Sequence, residues 1–177
     1  MIKGDRLTLR PLKLDDVTEQ YLSWLNDPEI QRYTRRRGVV TTLEELQKFM
    51  HDSQNSQDAH FAIIVNDGKH HIGNIFLNRV NLVDKNADLS IMIGDRTFHG
   101  KGYAQDAIRL LSRYAFETLG LHRLYAASPN EAFDRVVEKL GWTKEGIRRQ
   151  DFFLDGQYLD MTCWSLLRTD LQKMETV

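Results

Sequence analysis

Cysteine is nearly missing from this chain of 177 residues: Cys163 stands alone, which excludes an intrachain disulfide framework. In its strand-like surroundings it reads as a small buried hydrophobe. Long apolar runs are missing too, and none approaches the roughly 20 residues that span a bilayer. Met1–Arg10 is charged throughout and lacks the apolar centre of a secretory leader, so a soluble, cytoplasmic protein is expected. Net charge is equally scarce, with 24 Lys and Arg against 25 Asp and Glu. A protein-wide attraction to nucleic acid or to an acidic membrane is therefore excluded, and neither is an expected partner. The one arginine run is short and has few aromatics interleaved with it. Neither the dinucleotide fingerprint GxGxxG nor the triphosphate loop GxxxxGKS/T occurs, so hydride transfer and triphosphate hydrolysis lose their main support. The pair His70–His71 has no partners at metal-ligand spacing, so no metal is expected. Cys163 and the histidines form no nucleophile–base pair. No repeat or Pro/Gly-rich linker divides the chain, which predicts a single domain over 1–168 and a polar tail over 169–177.

What is present is a change of period. Arg6–Arg10 alternates like a short strand. Asp16 is placed to cap a helix presenting Val17, Tyr21, Trp24 and Leu25, which ends near Asn26–Asp27–Pro28. YTRRRGVV reads as a loop. Thr42 and Glu45 then have capping-box spacing before an apolar stripe of Leu43, Leu46, Phe49 and Met50. Strands follow at His60–Val65 and His71–Val80, joined at Asp67–Gly68, and a third at Ala87–Ile93. Gly102–Leu119 returns to helical spacing and stops at Gly120. A strand at His122–Ala127, a helix presenting Phe133, Val136, Val137 and Leu140, and two strands around the hairpin signal Asp155–Gly156 complete the order. The expected fold is α/β (α+β), a mixed and mostly antiparallel sheet of about seven strands flanked by helices.

The junction HGKGYA is the most informative stretch. Two glycines between a strand and a helix start let backbone close around a phosphate, where unpaired amides and the helix dipole favour an anion. Lys101 adds charge there. A plain strand-to-helix turn with no ligand is the other reading of the same residues.

The surrounding order settles the direction. RLTLRPLKLDD, YLSWLNDPEIQRY, IGNIFLNRV, ADLSIMIG, HGKGYAQDAIRLLSRYAFETLGLHRLYA, NEAFDRVVEKLGW and DGQYLDMTCWSLL together resemble the GNAT family of N-acetyltransferases over nearly the whole chain. The nearest branch contains ribosomal-protein N-terminal acetyltransferases and related small-molecule acetyltransferases. The resemblance implies acetyl-CoA as cofactor, its pyrophosphate over the amides from Gly100 through Lys101, Gly102 and Tyr103 to Ala104. It implies a pantetheine arm beside Ile91, Met92 and Ile93, acting like an extra strand where two parallel strands splay. Asn130 matches a cofactor-contacting position and is equally an N-cap. His99, next to the glycines, orients the cofactor, transfers a proton or is ordinary loop surface. Thr97 stands where the family often has Gln or Arg, which removes one side-chain signal.

The resemblance also implies direct attack of a neutral amine on the thioester. The family's usual tyrosine acid is absent, because its position is Val137, and the serine of the ribosomal branch is replaced by Phe133. The catalytic candidates are then Asp88, a base acting through water or a solvated carboxylate, with Tyr158 and Tyr33 as proton donors or rim aromatics. The segment holding Asn26, Glu29, Arg32, Tyr33 and Arg36 resembles the acceptor wall. Glu29 suits an ammonium, and Arg35–Arg36–Arg37 suit a phosphate or a solvated loop. The leading acceptor is a small-molecule amine such as a nucleotide-linked amino sugar. The alternatives are a protein N-terminus, presented as a peptide amine, and a cofactor-binding regulatory module without chemistry. No oligomer signal is present; a homodimer is the commonest form for a chain that self-associates.

Overall fold

The structure, a computed structural model, describes residues 1–54 and 56–171. Most of the expected polar tail, 172–177, lies outside the described residues. Eight strands form one sheet, β1 (Ile2–Lys3), β2 (Leu7–Pro11), β3 (Ala59–Val65), β4 (His71–Asn81), β5 (Asn86–Ile93), β6 (Arg123–Ser128), β7 (Thr143–Leu154) and β8 (Gln157–Leu167). Their spatial order is β1-β2-β3-β4-β5-β6-β8-β7. All neighbours are antiparallel except β5 and β6, which are parallel and joined by the helix α4 (Tyr103–Glu117). The sheet has one strand more than periodicity predicts, because β1 has two residues and shows no period; it is defined by pairing of Ile2 with Leu9 and Lys3 with Thr8.

Alternation along the strands divides the apolar residues between two faces. Leu7, Leu9, Ile63, Ile75, Leu77 and Leu89 meet α4 and α5 (Glu131–Lys139) in the larger core. From α4 the stripe Ala107, Ile108, Leu111, Ala115 and Phe116 is fully buried, each large side chain contributing about 1.5–3 kcal/mol of transfer free energy. The opposite face carries α1 (Glu19–Asn26), α2 (Pro28–Gln31) and α3 (Leu43–Gln54) over a smaller core of Leu12, Tyr21, Trp24, Leu46, Met50 and Ala62. Of the stripe expected on α3, Leu46 and Met50 are buried, while Leu43 and Phe49 stand partly in solvent.

Local signals on this side divide into those that formed and one that did not. The capping box formed: Thr42 N–H donates to Glu45 Oε2 at 2.9 Å and Glu45 N–H to Thr42 Oγ1 at 3.2 Å. Asp16 does not cap α1; Thr18 does, its hydroxyl oxygen accepting from Tyr21 N–H at 3.1 Å. Asp16 is buried two residues earlier, where Arg10 donates to both its oxygens, at 2.9 and 2.6 Å, and Lys13 N–H adds a third bond at 2.9 Å. The segment before the arginines also contains α2, a single turn too short for periodicity. Asp27 caps it, accepting from the amides of Glu29 and Ile30.

Candidate active site

The parallel pair β5–β6 is hydrogen-bonded only over Asn86–Asp88 and Arg123–Tyr125. Beyond that point β5 stays paired with β4 and β6 with β8, so the two strands part and leave backbone edges facing each other. A cavity of about 650 Å³ opens at this gap and runs over the start of α4 to α5. Gly100 and Gly102 adopt φ of +71° and +82°, a left-handed region that side chains rarely occupy. At Gly102 an added Cβ also comes within 3.0 Å of the Arg6 guanidinium. Among the described residues, the backbone amides from Gly100 to Gln105 donate to no protein acceptor, the first helical bond being Asp106 N–H to Gly102 O at 3.1 Å. Open amides, a helix start and a turn whose positive φ angles favour glycine fit the diphosphate that the sequence pattern implies.

Long-range contacts hold this cradle. Arg6 donates to the Lys101 carbonyl at 3.0 Å and to Asp106 at 2.7 Å, and lies 4.7 Å from the centre of the Tyr103 ring. His99 donates a ring N–H to the Ile93 carbonyl at 2.8 Å, tying the loop to the end of β5. Trp24 packs flat against Gly94, where any Cβ would overlap the indole. Arg96 bridges from the same loop to Asp27 at 2.5 and 2.7 Å. The Asp27 carboxyl loses some solvation, but the amides of Glu29 and Ile30 and the Arg96 guanidinium hold it below the usual carboxylate range.

Of the residues expected at the cofactor, Ile91, Met92, Ile93, His99, Gly100, Gly102, Tyr103, Ala104 and Asn130 line the cavity. Lys101 is not in the lining; its ammonium lies 5.8 Å from the centre of the Phe98 ring. Asn130 caps α5 by accepting from Ala132 N–H at 3.0 Å and faces the cavity as well. The sequence reading missed Ser128, Arg135 and Lys139, which also line it. The i, i+4 spacing of Arg135 and Lys139 on one helix face was the available signal.

The acceptor candidates separate. Glu29 and Tyr33 line the cavity. Asn26, Arg32 and Arg36 sit outside the lining and support its wall. Asn26 exchanges two hydrogen bonds with Thr41 backbone, at 2.9 and 2.7 Å. Arg32 pairs with Asp155 at 2.7 Å, and Arg36 donates to the Thr41 hydroxyl at 2.9 Å. Arg35 pairs with Asp151 at 3.0 Å, while Arg37 donates to the Phe153 carbonyl and covers the Phe152 ring. The arginine run is thereby fastened to the β7–β8 hairpin.

Asp88 and Tyr158 are outside the lining. Asp88 lies on the face of β5 that also holds Met92, at the last paired position before the strands part, and accepts from Arg79. Burial outweighs that contact and raises its carboxyl above the usual range. Tyr158 is 65% exposed at the hairpin, against Phe153. Val137 is fully buried, and Phe133 presents a ring to the cavity. Among the described residues no cluster of three or more metal-ligating side chains is present, and no helix is long and apolar enough to cross a membrane.

Comparison with known proteins agrees with this geometry. A family model for an acetyltransferase (GNAT) domain matches residues 6–143. An uncharacterized N-acetyltransferase, p20, of Bacillus licheniformis is 29% identical over 94% of this chain and 95% of its own. The spermidine N(1)-acetyltransferase of Escherichia coli is 31% identical over 89% of this chain and 84% of its own. Among solved structures, spermidine N-acetyltransferase from Vibrio cholerae, in complex with CoA and spermine, superposes with a TM-score of 0.87. That match has 24% identity and covers 96% of this chain and 99% of the other, which shows the shared fold.

Proposed function

The chain belongs to the GNAT acetyltransferase family, and on that premise we propose that this acetyl-CoA-dependent enzyme acetylates a primary amine carried on a small phosphate-bearing metabolite, a nucleotide-linked amino sugar above all. The supporting observation is the gap between β5 and β6 beside the open amides of Gly100–Gln105. Bound there, acetyl-CoA would supply the activated thioester, with coenzyme A as the thiol product. The amides of Gly100, Gly102, Tyr103 and Ala104 hold the diphosphate, with Lys101, Arg135 and Lys139 as the nearby cations. The free edge of Ile91–Ile93 binds the arm as a strand would; His99 holds its far end through the Ile93 carbonyl, and Asn130 faces the cavity from the start of α5.

On the acceptor side Glu29 attracts the ammonium and Tyr33 forms the rim. Asp88, whose raised pKa makes it a better base near neutrality, draws the ammonium proton away through water. It is three residues, about 10 Å, along the strand from Ile91, so contact is indirect. Tyr158 sits further out on the hairpin as an acceptor contact. Arg32 and Arg36, with Arg35 and Arg37, leave a cationic excess over the carboxylates that pair with them. That wall favours an anionic carrier over a polycation.

Mass analysis after incubation with acetyl-CoA and each acceptor class tests the assignment. A nucleotide-linked amino sugar is expected to gain one acetyl group at a rate well above spermidine or a protein N-terminus. Acetylation confined to spermidine, or to a protein terminus, would overturn the acceptor and leave the acetyl transfer standing.

A further inference from the structure

Val137 and Phe133 leave α5 without a hydroxyl for the departing sulfur, and the strand register points to another source. Asp88 faces Tyr125 in the last parallel pair. Carried forward along both strands, the same register sets Ile91 opposite Ser128, the final residue of β6. The ladder has ended there, and both residues line the cavity. On β6, Leu124 and Ala126 are buried in the core beneath α4 and α5, and Ser128 follows them by alternation onto the same face. It stands on the side of the sheet that also holds Val137.

Ser128 is fixed from three directions. Its backbone pairs with Thr162 of β8. Pro129 follows and confines it to extended conformations. Asn130 N–H donates to its Oγ at 3.0 Å, which occupies a lone pair and leaves the hydroxyl proton. Among the described residues nothing accepts that proton. Of the other polar groups of the cavity, the His99 ring N–H is bonded to Ile93 and the Thr34 hydroxyl donates to Gln31 Oε1 at 2.8 Å, while the Tyr33 and Tyr103 phenols and the Gln105 amide come from outside the two parted strands. The charged groups facing the cavity are Glu29 from α2, His99 from the loop, and Arg135 and Lys139 from α5.

We infer that Ser128 is the catalytic hydroxyl that serves the thiolate leaving coenzyme A, an inference that rests on the acetyltransferase reading above. Ser128 Oγ gives its proton to sulfur as the C–S bond breaks and the bonding pair moves onto sulfur. It takes a proton from the attacking nitrogen as the C–N bond forms. The hydroxyl is restored, the products are an amide and a free thiol, and no further acid is required.

The thiol of bound coenzyme A, titrated by the ultraviolet absorbance of its thiolate, reads this role without turnover. In the wild-type complex it titrates below the free thiol. Ser128→Ala is expected to raise that midpoint by about one pH unit and to lower kcat about 100-fold, with the Kd for coenzyme A changed less than threefold. Ser128→Thr keeps a hydroxyl and restores both readings. An unchanged thiol midpoint in Ser128→Ala, or a loss of stability or coenzyme A affinity alone, would reduce Ser128 to a helix-end contact and overturn the inference. Should Ser128→Ala not fold, a wild-type thiol midpoint at or above that of free coenzyme A overturns it equally. Failure of the wild-type protein to bind coenzyme A is a separate result, and it removes the acetyltransferase reading first.

Discussion

The two sides of the cavity are built from different materials. The side toward α4 and α5 is made of backbone: two glycines in the left-handed region, a run of open amides and a strand edge without a partner. The side toward α2 is backed by ties across the chain to the β7–β8 hairpin, Arg32 to Asp155 and Arg35 to Asp151 as ion pairs and Arg37 to the Phe153 carbonyl. Backbone geometry survives changes of side chain, so the first side suits a ligand that never changes. Ion pairs are exchanged by single substitutions, so the second suits an acceptor that differs from one relative to another.

The largest effect that would sharpen this contrast is at the backbone side. Gly102→Val forces a β-branched residue to φ near +82° and towards Arg6. Its affinity for coenzyme A should fall about 100-fold, of the order expected from 1–3 kcal/mol of strain. Calorimetry on a variant with native circular dichroism measures it, and affinity within twofold of wild type would dissolve the distinction. Next is Asp16→Asn, which leaves Arg10 without its charge partner beneath α1. Stability in urea should drop by about 2 kcal/mol while coenzyme A affinity holds.

Acidification is the third probe. Burial pushes Asp16 up, yet Arg10 and the Lys13 amide bring it net below the ordinary range, so its contribution is present above the unfolded carboxylate pKa and lost as pH falls on through the lowered folded one. Burial also lowers His71 and His60. A depressed imidazole binds fewer protons folded than unfolded, so stability should start to fall earlier, below about pH 6.5. A flat stability profile between pH 7 and 5 contradicts this. The smallest effect belongs to Arg35→Ala: a KM for the acceptor raised several-fold, an unaltered affinity for coenzyme A, and under about 1 kcal/mol of stability. A change in coenzyme A binding there would mean that the two walls are not independent.

The same division explains what could be read from the chain beforehand. Gly100–Lys101–Gly102, the Thr42–Glu45 box and the Asp155–Gly156 hairpin are local devices, and each formed where its residues stand. Thr18 took the cap expected of Asp16 because Asp16 is held by Arg10, a contact decided by packing rather than by spacing. Arg6 reaches Asp106 across 100 positions, and Arg35 reaches Asp151 across 116. No periodicity marks such pairs. Ser128 was hidden for a related reason, since its importance appears only when the register of β5 against β6 is known. The segment expected to form the acceptor wall could be picked out from the chain, but the partners that hold it in place could not.

The parting of β5 from β6 leaves the sheet as two leaves, β1 to β5 and β6 with β8 and β7, stitched at Asn86–Asp88. Such a joint can swing, whereas a continuous sheet only flexes. An arm threaded between the leaves closes the seam, so loading the enzyme stiffens it across its middle. Proton exchange with heavy water at Leu89–Ile93 should then slow most, along the strand edge that the arm covers.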